Sequence, residues 1–515
     1  MKFKKNITTV GLLFTAVGGI IGSGWLFGPF YAAKIVGPAA IFSWLLGGFM
    51  MMTIALTFAE LATMFPLAGG TVRFAQLSHG TFASFTIAWV AWLAAVTVAP
   101  VETMAALQYA ANYFPGLAEM TTRGVELTSL GIIIAVILMF LMCCLNMIGI
   151  QLFSKTNNII VIWKLLIPLL TIIILLIYFN PKQFTAWGGF MPYGLHSVVA
   201  ALPAAGVIFS FIGYSPAIQL AGESKNPQRA IPIAIIGSLT LCIIIYSLLQ
   251  VAFIGSVPIN IVSQGWAAMR FVGDTGPVAG IIAMLGIAWF LIILYLDAII
   301  SPFGTAYIYT ASTARIPYAM SKNGYMPIIF QKLSIRGVPV FAILLNFIIG
   351  IFFFLPFPGW QAMVSFLVSC FVIAYAVGPI ACLALRIKMP NQARPFRLPA
   401  VKPMCLIAFY VCNLIIYWTS WTTVWRMLLV VVIGYGVLFI YRFFEPIKQP
   451  LEFNKSYWVL PYFAGLGIIS YLGNFAGLGI ISFGWDFIIL ALFSVIIFYL
   501  AIRVIKYEKE AEKSV

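Results

Sequence analysis

The sequence predicts an all-α polytopic membrane protein: a five-plus-five inverted repeat with discontinuous spans 1 and 6, followed by additional C-terminal spans, about 14 in total. Three observations carry this. The 515 residues are 63% hydrophobic and 8% charged, with a mean hydropathy of +1.06, and they divide into apolar runs of the roughly 20 residues that cross a bilayer as a helix. The basic residues segregate: with the N-terminus inside, 23 of 29 fall on the cytoplasmic side, Lys34, Arg123, Lys182, Arg270 and Arg426 on the other, and Lys164 inside a span. Two apolar runs five spans apart are interrupted by glycine and proline.

The spans fall at roughly 9–31, 38–64, 82–112, 127–149, 157–179, 197–222, 231–255, 277–311, 338–356, 360–386, 403–421, 426–444, 457–475 and 484–505. An even count puts both termini on the cytoplasmic side of a cell (inner) membrane. Residues 1–386 form a core of two repeats, about 9–179 and 197–386, and 387–515 hold the extra helices and a short tail. The odd length of each repeat turns the second upside down relative to the first. The net charge of +16 is explained by this topology, so no nucleic-acid partner is inferred. The seven cysteines lie in apolar segments without CxxC spacing and read as small core hydrophobes. No cofactor is implied, and two isolated histidines, His79 and His196, make no metal site. Met1-Lys-Phe-Lys-Lys5 before an apolar run imitates a signal peptide, but the run continues to Phe30 and reads as an uncleaved first span.

The first span carries Gly18, Gly19, Gly22 and Gly24 within seven residues, each costing roughly 1 kcal/mol against alanine in a helix. One reading is a broken helix, tolerated at membrane depth only where protein or a cavity surrounds it. The other is close packing of a continuous helix, since Gly18 and Gly22, and Gly24 and Gly28, stand at GxxxG spacing. Four ionisable residues fall in apolar spans: Glu60, Glu102, Lys164 and Asp297. Glu60 lies near the cytoplasmic end of span 2 and suits a solvated or loop-anchoring role. Lys164 in span 5 is the first candidate for proton coupling, because burial disfavours a charged amine; a permanently paired lysine bridging two helices is the alternative. Glu102 in span 3 faces the substrate cavity, where it takes up a coupling proton or helps select a cationic group, and Asp297 in span 8 pairs with Lys164 or relays a proton.

The second break, Gly206-Val-Ile-Phe209-Ser210-Phe211-Ile212-Gly213, lies between Pro203 and Pro216 in the sixth run. Two interrupted segments at corresponding places point to a transporter's binding site near the bilayer midplane. Near the C-terminus, Phe463-Ala-Gly-Leu-Gly-Ile-Ile-Ser470 recurs as Phe475-Ala-Gly-Leu-Gly-Ile-Ile-Ser482, predicting closely packed apolar backbone around a tight turn between the last two spans.

Gly22-Ser23-Gly24, Phe58-Ala-Glu60-Leu with Pro66 and Gly69-Gly70, Phe209-Ser-Phe-Ile-Gly213, Gly222-Glu223-Ser-Lys-Asn226-Pro227, Arg315-Ile-Pro-Tyr318 and Arg394-Pro-Phe-Arg397, in that order, resemble the amino acid, polyamine and organocation (APC) superfamily of permeases. The resemblance covers roughly residues 8–445, and Asp297-Ala-Ile-Ile-Ser301-Pro302-Phe-Gly304-Thr305 with the two extra spans is similar to a smaller group containing aspartate:proton symporters. It implies a small-molecule amino acid substrate, a proton as coupling ion and a lipid surround. Backbone N–H groups at Gly22, Ser23 and Gly24 would then meet the substrate carboxylate. Carbonyls at Ile20 and around Phe209, Ser210 and Ile212 would meet its ammonium, with Phe209 as an aromatic gate. In proton-coupled members that the chain resembles, a lysine at the place of Lys164 stands where sodium-coupled relatives hold their ion. A symporter importing an amino acid with a proton, possessing no enzymatic motif such as HExxH or GxSxG, is the leading expectation. An exchanger of amino acids or polyamines on the same fold, and a nutrient receptor that does not transport, are the alternatives.

Overall fold

The computed structural model describes residues 5–121, 124–148, 150–271, 276–355, 359–444 and 450–514. The first span is helix α1 (Thr9–Ile20) followed, after a three-residue break, by α2 (Gly24–Val36). Then come α3 (Ala40–Met64), α4 (Gly70–Ala110), a hairpin of β1 (Ala118–Thr121) and β2 (Gly124–Leu127), α5 (Ser129–Ile148) and α6 (Ile150–Ile177). The sixth span is α7 (Gly194–Ala204), a 3-10 turn over Phe209–Tyr214, and α8 (Ser215–Gln219), bent by 45° at the break. There follow α9 (Pro227–Ser256), α10 (Pro277–Met284), α11 (Ala288–Thr313), α12 (Arg315–Lys322), α13 (Val340–Phe352) and α14 (Trp360–Lys388). The C-terminal part adds α15 (Val401–Trp418), α16 (Trp421–Phe444), α17 (Phe453–Ser456), α18 (Val459–Leu472) and α19 (Trp485–Ser514).

Among the described residues, ten helical runs are long and apolar enough to cross a membrane, and the bent pair in the sixth span makes an eleventh. With α1 joined to α2 and the shorter α13 and α18 counted, each predicted span has a helical counterpart. The chain is an all-α polytopic membrane protein. In α14 the whole of the most apolar stretch is buried, and in α4 nearly all of it, so these two stand at the centre. In α16, by contrast, Leu429, Val432, Ile433, Phe439 and Ile440 are exposed, the pattern of a helix whose outer face meets hydrocarbon rather than water.

Three predicted elements take a different form. Span 3 starts not at 82 but at Gly70, because Gly69 (φ 71°) starts a helical arm that bends at Gly80 (φ 74°) before the apolar run begins. The polar residues Arg73, Gln76, Ser78 and His79 hid this arm from a hydropathy reading. Span 8 divides: the left-handed Gly286 (φ 74°) separates α10 from α11. The repeated octapeptide is not a turn in both copies, since Phe463–Ser470 lies within α18 and only Phe475–Ser482 forms the connection to α19. Its second copy takes positive φ at Ala476 and Gly479, and Phe475 stacks on His196 with ring centroids 4.4 Å apart. Tertiary surroundings decide between the two conformations.

The bend at Gly80 frees the first N–H groups of the following helix, which would be unpaired. All three are met from the C-terminal part. Thr81 N–H and its hydroxyl donate to Glu452 Oε2 (3.1 and 3.2 Å), Phe82 N–H to the Leu451 carbonyl (3.1 Å) and Ala83 N–H to Ser456 Oγ (3.2 Å). Gly80 has to lack a side chain here because a Cβ would meet the Glu452 carboxylate. Glu60 proves to be a buried loop anchor. It accepts from Arg386 (2.7 and 2.6 Å) and from Leu398 N–H (2.7 Å), with Arg394 at 3.4 Å.

Candidate substrate and coupling site

Helix α1 ends at Ile20 and α2 begins at Gly24, so the first-span break is real, and glycine packing accompanies it. Gly19 lies against the Gly213 backbone, where neither position has room for a Cβ, and Gly24 lies against Ser210. The two breaks therefore touch through backbone, which only glycine allows at these points. The helix is broken, as the first reading expects; the close packing of the second is present, but across the break and not along a continuous helix.

Several of the groups expected to be free at the breaks have partners within the protein. Ser23 N–H donates to Glu102 Oε2 at 2.8 Å, and Ser23 Oγ accepts from Trp360 Nε1 at 2.9 Å. The Ile20 carbonyl accepts from the Tyr246 hydroxyl and the Ile212 carbonyl from the Tyr375 hydroxyl, both at 3.0 Å, and Ser210 Oγ donates to the Gly206 carbonyl at 2.9 Å. These tyrosine bonds explain how backbone opened in an apolar interior stays satisfied.

Lys164 on α6 lies at the carbonyl end of α1. Its Nζ donates to the Gly18 carbonyl at 2.6 Å and to Thr305 Oγ1 on α11 at 2.7 Å. A cation at a helix C-terminus meets the negative end of the helix dipole. Thr305 is also within hydrogen-bond distance of the Gly18 and Ile21 carbonyls (3.0 and 3.2 Å). On its other side, a Cβ at Gly22 would fall 2.5 Å from Glu102 Oε1 and 2.7 Å from Thr305 Oγ1. Glu102, Gly22, Thr305 and Lys164 thus form one buried cluster around the break.

Asp297 stands apart. It is buried on α11, two turns or about 12 Å along the axis from Thr305, and accepts from Ser301 Oγ at 2.7 Å. The Trp25 and Trp163 indoles lie beside its other oxygen, which completes no hydrogen bond. Among the described residues no ion pair joins Lys164 to Asp297 or to Glu102.

The breaks are covered on both sides. Towards the loop before α14, Trp360 stacks on Phe27 (4.7 Å between centroids) and Tyr31 (6.0 Å), and Phe209 meets it edge-on (5.9 Å). Phe209 is 8% exposed. Trp360 also fills the space beside Gly206, where a Cβ would lie 2.7 Å from the indole. On the side where the chain starts, Glu223 and Arg315 form a buried pair at 2.8 Å. Ile7 bonds through its N–H to the Glu223 carbonyl (3.0 Å) and through its carbonyl to Lys225 N–H (2.9 Å).

Sequence reasoning missed Trp360, Tyr246 and Tyr375, and quoted Thr305 only within a motif. Each is a lone polar or aromatic group in an apolar run, with nothing local to mark it. Glu223 and Arg315 stood in the sequence motifs, but their pairing across 92 positions had no local signal.

Compared with known proteins, residues 7–465 match the family model described as amino acid permease. The chain is 39% identical over 476 residues to the glutamate/serine transporter AimA of Bacillus subtilis, covering 91% of this chain and 88% of that one. It is 35% identical over 505 residues to the aspartate-proton symporter of the same organism, covering 97% and 96%. With the branched-chain amino acid permease BcaP, also from B. subtilis, it shares 26% over 458 residues, 85% and 93% of the two chains.

Proposed function

The chain belongs to the amino acid permease family, and from that premise we propose that it imports an amino acid together with a proton by alternating access. The observation that carries the proton is the placement of Lys164, whose buried amine holds the carbonyl end of α1 at the break. An amine there alters its grip on the broken helix when it loses its proton, because a neutral amine gives up the charge-assisted part of both bonds. Occupancy of the break and the protonation of Lys164 are then linked through the Gly18 and Thr305 contacts.

In this reading the substrate lies between the two breaks, with its carboxylate towards Gly22, Ser23 and Gly24 and its ammonium towards the carbonyls of Ile20, Phe209, Ser210 and Ile212. Trp360 and Phe209 close the outer side, and Glu223 with Arg315 the inner. The names of the glutamate/serine transporter and the aspartate-proton symporter favour aspartate, glutamate or serine as cargo. The transport core is 1–386 with repeats at 9–179 and 197–386, and the basic residues orient both termini to the cytoplasm of the cell membrane.

The test is uptake of labelled aspartate into proteoliposomes, with and without an inward proton gradient, challenged with unlabelled glutamate, serine, neutral and cationic amino acids and polyamines. Gradient-driven accumulation supports symport. Uptake that requires internal substrate under every gradient replaces it with exchange, and binding without accumulation or counterflow replaces it with a receptor.

A further inference from the structure

We infer that Glu102 occupies the backbone anchor used by the substrate's own carboxylate, so that Glu102 has to be protonated before a carboxylate-bearing substrate can bind. This rests on the transporter reading above and assigns Glu102 a role within it. Ser23 is the residue before α2, and its hydroxyl does not cap that helix but accepts from Trp360. The cap comes from a residue 79 positions away, through Ser23 N–H to Glu102 Oε2. The positive end of a half-helix at a break is the place where a transporter of this architecture receives an anionic group, and here an internal carboxylate already holds it.

The local geometry is built for that occupancy. Gly22 leaves the space that the Glu102 carboxylate and Thr305 hydroxyl fill. Yet only half of the carboxylate is satisfied, for Oε1 is buried without a hydrogen-bond partner. Glu60 shows the contrast, for both of its oxygens are bonded and arginines lie beside it. An unbonded oxygen in an apolar interior is costly as an anion and well placed to take a proton. The groups facing Glu102 are Ser23 and Gly22 from the break, Lys164 from α6, Tyr246 from α9, and Thr305 and Tyr309 from α11. Asp297 on α11 acts on Lys164 in turn. None forms an ion pair with Glu102 among the described residues.

Two carboxylates at one helix terminus in a low dielectric cannot both remain ionised. The proton comes from the medium and binds Glu102, the Ser23 N–H passes to the incoming carboxylate, and the proton leaves Glu102 once the substrate has gone. Proton and substrate therefore bind cooperatively, and the ligand class is one that carries a carboxylate; polyamines lack the group that competes.

The test uses the purified full-length protein in nanodiscs, with binding of labelled aspartate, glutamate and serine from pH 5.5 to 8.5. The wild type loses affinity by about tenfold per pH unit on the alkaline limb, the slope of one linked proton. Glu102→Gln keeps an oxygen acceptor for Ser23 N–H and is neutral throughout, so the part of the slope carried by Glu102 disappears and only the linkage through Lys164 remains. A Glu102→Gln protein that is monodisperse yet keeps the wild-type pH slope, or that binds at no pH, overturns the inference. Should that variant not fold, proton uptake by the wild type decides: aspartate added in weak buffer on the alkaline limb, where unliganded Glu102 is ionised, takes up about one proton per site if Glu102 is displaced as described, and no uptake there overturns it. If the wild type binds none of the three amino acids, the transporter reading for these substrates falls, separately from the role of Glu102.

Discussion

Replacing Lys164 by methionine separates coupling from folding. The lysine amine makes two short bonds, 2.6 Å to the Gly18 carbonyl and 2.7 Å to Thr305 Oγ1, and a hydrogen bond to a charged group contributes about 1.5–3 kcal/mol. Against that stands the desolvation of a buried ion, several kcal/mol. Methionine fills similar volume, and the single Thr305 hydroxyl proton, in reach of the Gly18 and Ile21 carbonyls at 3.0 and 3.2 Å, serves one of them and leaves one without its donor. The two terms offset, and the variant's thermal midpoint in nanodiscs should stay within about 5 °C of wild type. Transport should change far more. One proton per substrate across an inward gradient of about 2 pH units supplies about 2.7 kcal/mol, or accumulation of about 100-fold. In proteoliposomes Lys164→Met should fall to a ratio near one while counterflow persists. A folded variant that still accumulates substrate more than about tenfold under that gradient refutes the assignment of coupling to Lys164.

Ser23→Leu places a branched side chain where the buried hydroxyl meets Trp360; overpacking of about 1–3 kcal/mol leaves a folded protein, and uptake should drop below detection, whereas near-normal uptake contradicts a site at the break. Glu223→Gln removes the Glu223 charge from the buried pair with Arg315, a loss of about 3–5 kcal/mol, so a cysteine introduced as Ile7→Cys should react faster with a membrane-impermeant maleimide from the side of the N-terminus; an unchanged rate shows that the pair does not hold that side closed. Glu452→Ala removes the carboxylate that caps Thr81 and should cost about 1 kcal/mol, read as a small drop in the thermal midpoint, with Glu452→Gln recovering most of it.

Much of the site was legible because it violates the rules of its surroundings. Glycines at 18–24 and 206–213 stand in runs that should be uninterrupted helix, and Lys164, Glu102 and Asp297 are ionisable groups in hydrocarbon. The partners were not legible. Lys164 meets a carbonyl 146 positions away, and carbonyls carry no sequence signature at all. Tyr246, Tyr375 and Trp360 resemble the aromatic residues found throughout membrane helices until the fold brings them to an open backbone. The expectation of free N–H and C=O groups followed from helix breakage alone and could not foresee the side chains that meet them. The arm at 70–79 was lost to a different cause, since a helix carrying Arg73, Gln76, Ser78 and His79 has no hydropathy signal.

The cap on the bend at Gly80 also imposes an order of events on synthesis. Its acceptors, Glu452 and Ser456, are more than 370 positions downstream of the N–H groups they meet. At about 5–20 residues per second, the ribosome delivers them roughly 20–70 s after Thr81 has emerged. Throughout that interval the arm can meet Gln219 and Asn323, which are made earlier, but the N–H groups at the bend lack these acceptors. A nascent chain halted before residue 450 would hold every helix through α16 and still lack the groups that cap the bend in its third span. The residues that complete the third span are thus among the last to be made.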